Sequence, residues 1–359
     1  MTAILNVSKL LIFNLITKSY IFFFSLRELI DIRLYFRYLR VVKIFKNKKK
    51  NDLKKYLMIF VIYEKKKLSF STKNLIIAVN SLNIDLFIVS NTNINENDLL
   101  FLKKNTYKIL IRKNLGQCFG GYKDAISFEN IKKYKKLILI NDSMFFFNKK
   151  LLTKLISKIL HIKKKFVSLN FNYLNYHAQS FFMVFDISII KKSFFLDFWK
   201  NYKLTNIRPL IIKNGEQRLT DIFKLNKITP YALINPTYVS KEVNNLSNKK
   251  IGFINKLIAN KSDNLIKDNI SKKIHFKLLN SNPTHEYFDI VAIACKLSLF
   301  KKDLFIRKIY SINKFKNLLK YLKIEKKEID EAVNIIRQRG NYSNYNFFKK
   351  ILFKFHLIN

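Results

Sequence analysis

The chain has 359 residues, of which 49% are hydrophobic and 15% aromatic. That is enough apolar material for a folded core, and it excludes wholesale disorder. Its 68 Lys and Arg against 24 Asp and Glu give a formal net charge of +44, but the excess is spread along the whole chain and accompanies many Asn, Ile and Phe, so we attribute it to compositional drift and a membrane-surface role rather than to nucleic-acid binding.

The N-terminal segment combines an apolar stretch with a basic one. Leu10 to Leu26 is strongly apolar, but Asn14 and Lys18 interrupt it, and a membrane-spanning helix needs about 20 mostly apolar residues. No small-residue cleavage site follows, so a secretory signal is not predicted. The basic residues that come next are Arg27, Arg33, Arg37, Arg40, Lys43, Lys46 and Lys48 to Lys50. This pattern indicates a helix lying on an anionic leaflet, and a helical extension packed on the main domain fits it equally well.

From residue 53 onwards, strand and helix patterns alternate. Short apolar runs predict strands at Leu57–Tyr63, Asp85–Ser90, Lys108–Ile111, Lys136–Ile140, Phe166–Leu169 and Gln179–Phe185. Helices are predicted at Asn74–Leu82, Asn95–Lys104, Tyr122–Asn130, Lys150–His161, Ile187–Trp199 and Glu216–Leu225. Such alternation predicts an α/β fold with a mainly parallel sheet flanked by helices. In such sheets ligands bind outside the carboxyl ends of the strands.

We divide the chain into three parts. Residues 1–52 form a basic and apolar helical extension, residues 53–310 the main domain, and residues 311–359 a helical basic C-terminal segment. A helix is predicted near the end of the main domain at Asp289–Cys295. The C-terminal segment contains predicted helices at Lys314–Leu322 and Lys327–Arg337, and an aromatic and basic stretch, Tyr345–Leu357, that could be a second surface contact. Residues 240–273, rich in Asn, Lys and Ser, are poorly defined.

Three of the chain's six glycines, Gly116, Gly120 and Gly121, follow the third strand of the main domain. Glycine allows close approach of the backbone to a ligand, and the N-terminus of the helix that follows offers free N–H groups to a phosphate. Arg112 and Lys123 could add cationic contacts to a diphosphate. A tight strand–helix turn without a ligand is the alternative. Neither a P-loop nor a GxGxxG fingerprint is present.

Asn141, Asp142 and Ser143 directly follow an apolar strand. A carboxylate at a strand end can bind a divalent cation that bridges a diphosphate, since Mg²⁺ needs only one or two protein carboxylates when phosphates and water complete its shell. The alternative is a helix N-cap, a position where Asp and Ser are common.

Two further polar segments could contact a substrate. His177 and Gln179, with Ser180, precede a strand and could grip sugar hydroxyls. Glu216 opens a predicted helix, and a carboxylate there could act as a general base towards an acceptor hydroxyl. A structural histidine and a stabilising charge in a first helical turn are the alternatives.

In their order along the chain, these motifs resemble the rhamnan synthesis protein F family of bacterial polysaccharide glycosyltransferases. The matching stretches are Tyr63-Glu64, Arg112 to Lys123, Asn141 to Ser143, His177 to Phe182, Phe198-Trp199, Glu216 to Thr220, Asn282 to His285 and Phe300 to Lys302. The similarity covers about residues 55 to 305. Cys118 and Glu64 each stand where the family usually has Asp, and Leu299 stands where it has Pro.

The resemblance implies a GT-A-like nucleotide-binding fold and transfer of a sugar, often rhamnose, from a nucleotide diphosphate donor to a growing surface polysaccharide or lipopolysaccharide. The donor-binding residues that it implies are Arg112, Asn114, Gly116, Gly120, Gly121, Lys123, Asn141, Asp142 and Ser143. Asp142 would hold the diphosphate through Mg²⁺ or Mn²⁺. The residues implied to face the sugar or the acceptor are His177, Gln179, Ser180 and Glu216, with Glu216 or His177 as the base.

The expected partners are a nucleotide-sugar donor, a glycan or lipid-linked glycan acceptor and an anionic membrane surface, without nucleic acid. The two cysteines, Cys118 and Cys295, form no Cys/His cluster, so no zinc site is implied. Two cysteines in a long chain favour a reducing cytoplasm, and we expect the protein on the inner face of the cytoplasmic membrane. Two alternatives stay open: a sugar-nucleotide-binding scaffold weakened at Cys118, and a nucleic-acid-binding protein, although no helix-turn-helix or RNP signature is present.

Overall fold

A nine-stranded mixed sheet forms the centre of the protein in a computed structural model, which describes residues 2–47, 54–252, 274–307, 309–340, 347–354 and 357. The strands of this sheet are β1 (Val41–Lys46), β2 (Tyr56–Ile62), β3 (Ile84–Ser90), β4 (Lys108–Arg112), β5 (Lys136–Asn141), β7 (Phe166–Asn172), β8 (His177–Ala178), β9 (Phe182–Asp186) and β10 (Tyr231–Ile234). Two short strands, β6 (Met144–Phe146) and β11 (Leu299–Lys301), pair with each other in a separate antiparallel ribbon.

The strand order is β1-β4-β3-β2-β5-β9-β7-β10, with β8 paired to β7. The four strands β4, β3, β2 and β5 are parallel neighbours, and β7 and β10 are also parallel. The predicted α/β class with a mainly parallel sheet is therefore confirmed. Strand β9 is the exception inside the sheet, because it runs antiparallel to both β5 and β7.

The helices lie on both faces of the sheet. They are α1 (Thr2–Leu29), α2 (Ile32–Tyr35), α3 (Phe70–Asn80), α4 (Glu96–Asn105), α5 (Gln117–Ser127), α6 (Lys149–His161), α7 (Ile187–Ile190), α8 (Ser193–Asn201), α9 (Arg208–Ile211), a π-helix (Ile212–Gln217), α10 (Arg218–Leu225), α11 (Pro236–Asn244), α12 (Pro283–Glu286), α13 (Phe288–Ala294), α14 (Asp303–Ile306), α15 (Ile312–Tyr321), α16 (Lys326–Gly340) and α17 (Phe347–Lys354). Single 3₁₀ turns lie at Arg37–Leu39 and Ile131–Lys133, and residues 248–252 and 274–279 are also helical. None of the helices within the described residues is long and apolar enough to cross a membrane.

Strand β2 separates two apolar cores, because successive side chains of a strand point to opposite faces. Met58 and Phe60 belong to the core under α3, α6 and the C-terminal helices. Leu57 and Ile59 belong to the core under α5, α8 and α10. A strand that is apolar on both faces is typical of a covered parallel sheet, which is how the sequence identified it.

Two expectations about secondary structure were wrong. The basic segment after α1 is not helical throughout, since Val41–Lys46 forms strand β1, antiparallel to β4 at the sheet edge. The helix expected from Tyr122 begins at Gln117, so Gly120 and Gly121 lie inside it rather than in the turn before it. Strand β10 was not predicted. Of the segment 240–273, residues 253–273 lie outside the described residues, and α11 covers its start.

The C-terminal stretch predicted as a surface contact is partly buried. Of this stretch, residues 345, 346, 355 and 356 lie outside the described part of the chain. Leu352 on α17 and Leu357 pack against Tyr20 of α1 in a small third apolar cluster. The two ends of the chain are thus joined through this cluster.

Candidate active site

The polar motifs of the sequence meet at the carboxyl edge of the parallel strands. Val61 of β2 lies opposite Asn141 of β5 in the register of the sheet. The next residue, Asp142, donates its backbone N–H to the Val61 carbonyl over 3.1 Å, and its Oδ2 accepts the Tyr63 N–H over 3.1 Å. This edge is where open α/β sheets bind ligands.

The turn between β4 and α5, which contains Gly116 and which we call the glycine turn, is shaped by packing. Gly116 has a φ of +73° and is the N-cap of α5. A Cβ at Gly120 would lie 2.1 Å from the Leu115 carbonyl oxygen, and a Cβ at Gly121 would lie 2.8 Å from the Val61 methyl groups. Glycine at these positions lets α5 lie directly against β2 and against the turn that precedes it.

Arg112 is buried in an ion-pair triad. Its Nε lies 2.8 Å from Oδ2 of Asp124, whose Oδ1 lies 2.6 Å from Nη2 of Arg40. The two remaining nitrogens of Arg112 donate to Asn91 Oδ1 over 2.7 Å and to the Leu115 carbonyl over 2.6 Å. All three nitrogens of this guanidinium therefore have protein partners, and one of them holds the glycine turn.

Lys123 likewise has partners in the protein. Its ammonium donates to the carbonyls of Lys200 and Tyr202, over 2.9 and 2.7 Å, at the C-terminal end of α8. Direct contact of Arg112 or Lys123 with a diphosphate would require these hydrogen bonds to break. Asn114, by contrast, is exposed at the turn.

Asn141, Asp142 and Ser143 form the tight turn between β5 and β6. The Oδ1 of Asn141 accepts the Ser143 N–H over 3.0 Å, and the Asn141 amide approaches the Ser180 carbonyl at 3.5 Å. The Asp142 side chain is 16% exposed, so one carboxylate at this turn remains reachable from outside.

A lysine that the sequence analysis quoted only as part of a motif lies beside this turn. The backbone N–H of Lys302 donates to the Ser143 carbonyl over 2.9 Å, and its Nζ lies 4.0 Å from Asp142 Oδ2. Burial lowers the pKa of this ammonium, while the charges of Asp142 and Glu64 oppose that effect. Pairing of β11 with β6 places Lys302 here, and the only sequence signal was the stretch Phe300 to Lys302.

Glu216 lies on the π-helix and accepts three hydrogen bonds. Its Oε1 accepts from the Ser180 N–H over 3.0 Å and from the Ser180 hydroxyl over 2.5 Å, and its Oε2 lies 3.2 Å from His177 Nε2. Burial alone would raise the pKa of Glu216, but the His177 hydrogen bond and charge together with the two Ser180 donors lower it to about 2. A π-helix inside an α-helical stretch often marks a functional site.

His177 and Gln179 take different partners although they are two residues apart. His177 is buried and contacts Glu216. Gln179 is buried too, and its amide donates to Asn282 Oδ1 over 2.6 Å while its carbonyl oxygen accepts from Thr284 over 3.0 Å. Asn282 and Thr284 therefore orient Gln179, a role that their sequence motif did not indicate.

Ser180 joins the two halves of the candidate site. Its carbonyl accepts the Tyr122 hydroxyl over 3.0 Å and faces the Asn141 amide, while its N–H and hydroxyl bind Glu216. The Cys118 sulfur lies 3.9 Å from the Ser180 hydroxyl. Burial, with a contribution from the Glu216 charge, raises the pKa of the Cys118 thiol to about 12, so the thiol is neutral.

The residues at the Asn141–Ser143 turn fit a metal ion only in part. Within the described ranges, no group of three His, Cys, Asp or Glu side chains could hold an ion. Asp142 provides a single carboxylate, and Lys302 already places a positive charge 4.0 Å from it. This donor set suits a cation held mainly by diphosphate oxygens and water.

Comparison with known proteins identifies the family. An uncharacterized protein of Sinorhizobium fredii (strain NBRC 101917 / NGR234), y4gN, is 30% identical over 175 residues, which are 47% of this chain and 45% of that protein. This chain therefore matches less than half the length of that relative. The mannosyltransferase PcManGT from Pyrobaculum calidifontis, solved with GDP-Man and Mn2+, is 8% identical with a TM-score of 0.31 over 96% of each chain, too low a score to carry an argument.

The family model for rhamnan synthesis protein F matches residues 86–340, more than two thirds of the chain. The match spans the glycine turn, the Asn141–Ser143 turn, Lys302, and Glu216 with its partners His177 and Ser180, which we call the Glu216 group. It confirms the resemblance found in the motifs. The chain therefore belongs to the rhamnan synthesis protein F family, and this membership supports a glycosyltransferase.

Proposed function

We propose that the protein transfers a sugar from a nucleotide diphosphate donor to a hydroxyl of a glycan or lipid-linked glycan during synthesis of a surface polysaccharide or lipopolysaccharide. The observation that carries the proposal is the position of Ser180. This residue contacts Asn141 of the Asn141–Ser143 turn through its carbonyl and Glu216 through its N–H and hydroxyl. Ser180 therefore lies between the turn that carries Asp142, a carboxylate suited to a diphosphate, and Glu216, a carboxylate suited to a hydroxyl.

We assign the donor diphosphate to Asp142 and Lys302. The ammonium of Lys302 is nearly buried and has Asp142 as an ion-pair partner at 4.0 Å. An ammonium in a poorly solvated site gains much from a second anionic partner, and phosphate oxygens are strong acceptors. When bound, Mg²⁺ or Mn²⁺ would supply further charge to the diphosphate, with Asp142 as its protein ligand.

We assign the acceptor to the Glu216–His177 pair. The acceptor hydroxyl gives its proton to the pair, its oxygen forms a bond to the anomeric carbon, and the bond from that carbon to the diphosphate breaks, which releases the nucleoside diphosphate. A carboxylate with a pKa of about 2 stays ionised at neutral pH and is a weak base by itself. The pair therefore acts as a unit, in which Glu216 orients His177 and stabilises its positive charge.

The finer parts of the proposal rest on family membership. The family name supports rhamnose as the donor sugar and rhamnan-type glycans as products.

The order of the strands supports a GT-A-like arrangement. Parallel strands end at the Asn141–Ser143 turn, and the antiparallel strand β9 lies beside β5. The glycine turn contributes by fixing α5, from which Tyr122 reaches Ser180. We place the reaction in the cytoplasm, at the inner face of the membrane.

A sugar-nucleotide-binding scaffold is the second candidate, and Cys118 is the observation that favours it. The family resemblance expects an acid at this position, where the chain has a neutral buried thiol beside Ser180. A scaffold would bind sugar nucleotides without transferring the sugar. Donor binding and turnover therefore have to be measured separately.

The experiment is a screen of the purified full chain against a panel of nucleotide sugars, with Mg²⁺, with Mn²⁺ and with a chelator. With the nucleotide sugar and metal ion that give transfer, Glu216→Gln should lower transfer by about 10² to 10⁴-fold, while donor binding measured by calorimetry is kept. Asp142→Asn should weaken donor binding itself. Asp221→Asn is the matched control, because Asp221 lies on the adjoining helix α10 with its side chain 56% exposed.

Wild-type transfer in both variants would refute the site assignment. Donor binding without product for any sugar nucleotide would favour the scaffold. Absence of both binding and transfer would refute the proposed function altogether.

A further inference from the structure

Helix α1 is apolar on two sides, and within the described part of the chain only one of them is packed. Ile16, Tyr20 and Phe24 lie against Ile207 and Leu352 in the cluster that joins the two ends of the chain. A helix that is apolar all round is normally buried all round. The exposed apolar side of α1 therefore calls for an explanation.

The unpacked side is a continuous stripe. The large apolar side chains exposed along α1 at helical spacing are Leu11, Leu15, Phe22, Leu26 and Leu29. At about 100° per residue these five positions fall within about 60° of the helix circumference, on the side opposite Tyr20. Phe22 and Leu29 are 60% and 66% exposed, and contact of such apolar side chains with water is unfavourable in free energy.

Exposed apolar residues also follow the helix along the chain, in the segment that leads to strand β1 and in β1 itself. They are Ile30, Ile32, Tyr35, Phe36, Tyr38, Val42 and Ile44. Ile30 and Tyr38 are 80% and 74% exposed. We call the unpacked side of α1 from Leu11 together with residues 30–46 the N-terminal surface.

Positive charge accompanies the apolar residues of the N-terminal surface. The exposed basic side chains of this surface are Lys18, beside the stripe of α1, and Arg33, Arg37, Lys43 and Lys46 after the helix. The two acids between residues 11 and 46 have partners, since Glu28 accepts from Thr205 and Asn206 and Asp31 pairs with Arg33. The surface therefore presents net positive charge around exposed Phe, Tyr, Leu and Ile.

We propose that the N-terminal surface docks on an anionic lipid bilayer, with its apolar side chains in the headgroup region and its basic side chains on lipid phosphates. Apolar and aromatic residues with Lys and Arg at one surface are what binding to an anionic leaflet requires. A second copy of the chain fits less well. A two-fold contact brings the same patch against itself and would set arginines against arginines.

The docking surface is connected to the candidate site through hydrogen bonds. Glu28 of α1 binds the backbone N–H of Asn206, and the Asn206 side chain accepts the Gly116 N–H over 2.8 Å at the start of α5. Arg40, at the end of the same segment, binds Asp124 of α5. Docking would therefore hold the glycine turn at a fixed orientation to the bilayer.

The test is flotation of the full chain with phosphatidylcholine vesicles that contain or lack phosphatidylglycerol. Wild type should float with the anionic vesicles, and less so as salt is raised. The variant Leu15→Ser/Phe22→Ser/Leu26→Ser should lose this binding by about tenfold or more, and Lys18→Gln/Arg37→Gln/Lys43→Gln should lose the preference for the anionic lipid. The control Leu100→Ser/Leu174→Ser/Leu225→Ser removes equally exposed leucines elsewhere and should bind like wild type.

Because the substituted residues are exposed, the variants should fold, which circular dichroism and thermal unfolding verify. The proposal fails if wild type does not float with anionic vesicles, or if the α1 variant and the leucine control bind equally. It also fails if light scattering shows a dimer that only the α1 variant loses. None of these measurements uses a sugar donor, so they stand apart from the outcome for glycosyl transfer.

Discussion

The glycine turn follows β4 and the Asn141–Ser143 turn follows β5, two parallel strands of the same sheet with β3 and β2 between them, yet their polar groups are used in opposite ways. Around the glycine turn, the guanidinium of Arg112 and the ammonium of Lys123 are bound to protein atoms. At the Asn141–Ser143 turn, Asp142 keeps a partly exposed carboxylate, and Lys302 lies at 4.0 Å from it. The charged groups of the glycine turn stabilise the fold, whereas those of the Asn141–Ser143 turn can still bind a ligand.

The difference shows why a rare residue type is weak evidence for a ligand. Of the six glycines, Gly116 lies at the N-cap of α5 and Gly120 and Gly121 lie in its first turns, because α5 must approach Val61 and the Leu115 carbonyl closely. That need is one of packing. Binding capacity is indicated instead by charged groups that are poorly solvated and not saturated, as at Lys302 and Asp142.

The largest expected effect tests the structural side of this comparison. Asp124→Ala leaves Arg40 and Arg112 buried without their shared carboxylate, and removal of one member of a buried ion pair costs about 3–5 kcal/mol. We expect the free energy of unfolding, measured by urea titration, to fall by this amount. Asp221→Ala, on an exposed helix face, should change it by less than about 0.5 kcal/mol. A loss below about 1 kcal/mol for Asp124→Ala would contradict the structural role of the triad.

The next effect concerns acid stability and Glu216. The pKa of this group is lowered from 4.5 to about 2 in the folded protein. The carboxylate therefore stabilises the fold fully above the unfolded-state value, and this contribution disappears as the pH falls from about 4.5 to about 2. The whole contribution is about 3 kcal/mol. Unfolding free energies measured across this range should fall more steeply for wild type than for Glu216→Gln, and parallel profiles would refute the assignment.

Much of the fold was accessible from sequence because its central strands are buried on both faces. Runs such as Leu57–Tyr63 and Lys136–Ile140 identify parallel strands without knowledge of their partners. The rule that ligands bind at the carboxyl ends then placed Asn141–Ser143 at the site edge. Strand β1 was missed because Val41–Lys46 is a basic edge strand that is defined only by its pairing with β4.

The rest of the site depends on contacts between distant residues. Gln179 meets Asn282, which lies 103 positions further along the chain, and Lys302 reaches Asp142 only because β11 pairs with β6. The sequence also left open whether Glu216 was a helix-stabilising charge or a functional carboxylate. Its three hydrogen bonds with His177 and Ser180 come from β8 and the turn that follows it, which precede Glu216 by more than 30 residues.

A smaller effect tests the binding capacity of the Asn141–Ser143 turn. Lys302→Met keeps most of the apolar stem and removes the charge, so nucleoside diphosphates should bind about tenfold more weakly in calorimetry. A nucleoside without phosphates should bind as it does to wild type. Lys224→Met, whose side chain is 41% exposed, is the matched control. Equal diphosphate affinity in wild type and Lys302→Met would remove Lys302 from the donor site.

The smallest effect concerns Cys118, which belongs to the helix of the glycine turn but faces the Glu216 group. Its sulfur lies 3.9 Å from the Ser180 hydroxyl, and Glu216 contributes to its raised pKa. Cys118→Asp would place a second carboxylate near Glu216, and like charges raise the pKa of one member of such a pair. Loss of stability in acid should then begin about one pH unit higher than in wild type, which corresponds to about 1.4 kcal/mol. Cys118→Asn has the same size without the charge and should keep the wild-type profile. If the Asp and Asn variants lose stability at the same pH, the side chain at position 118 does not change the pKa of Glu216. The helix of the glycine turn and Glu216 are then not coupled through position 118.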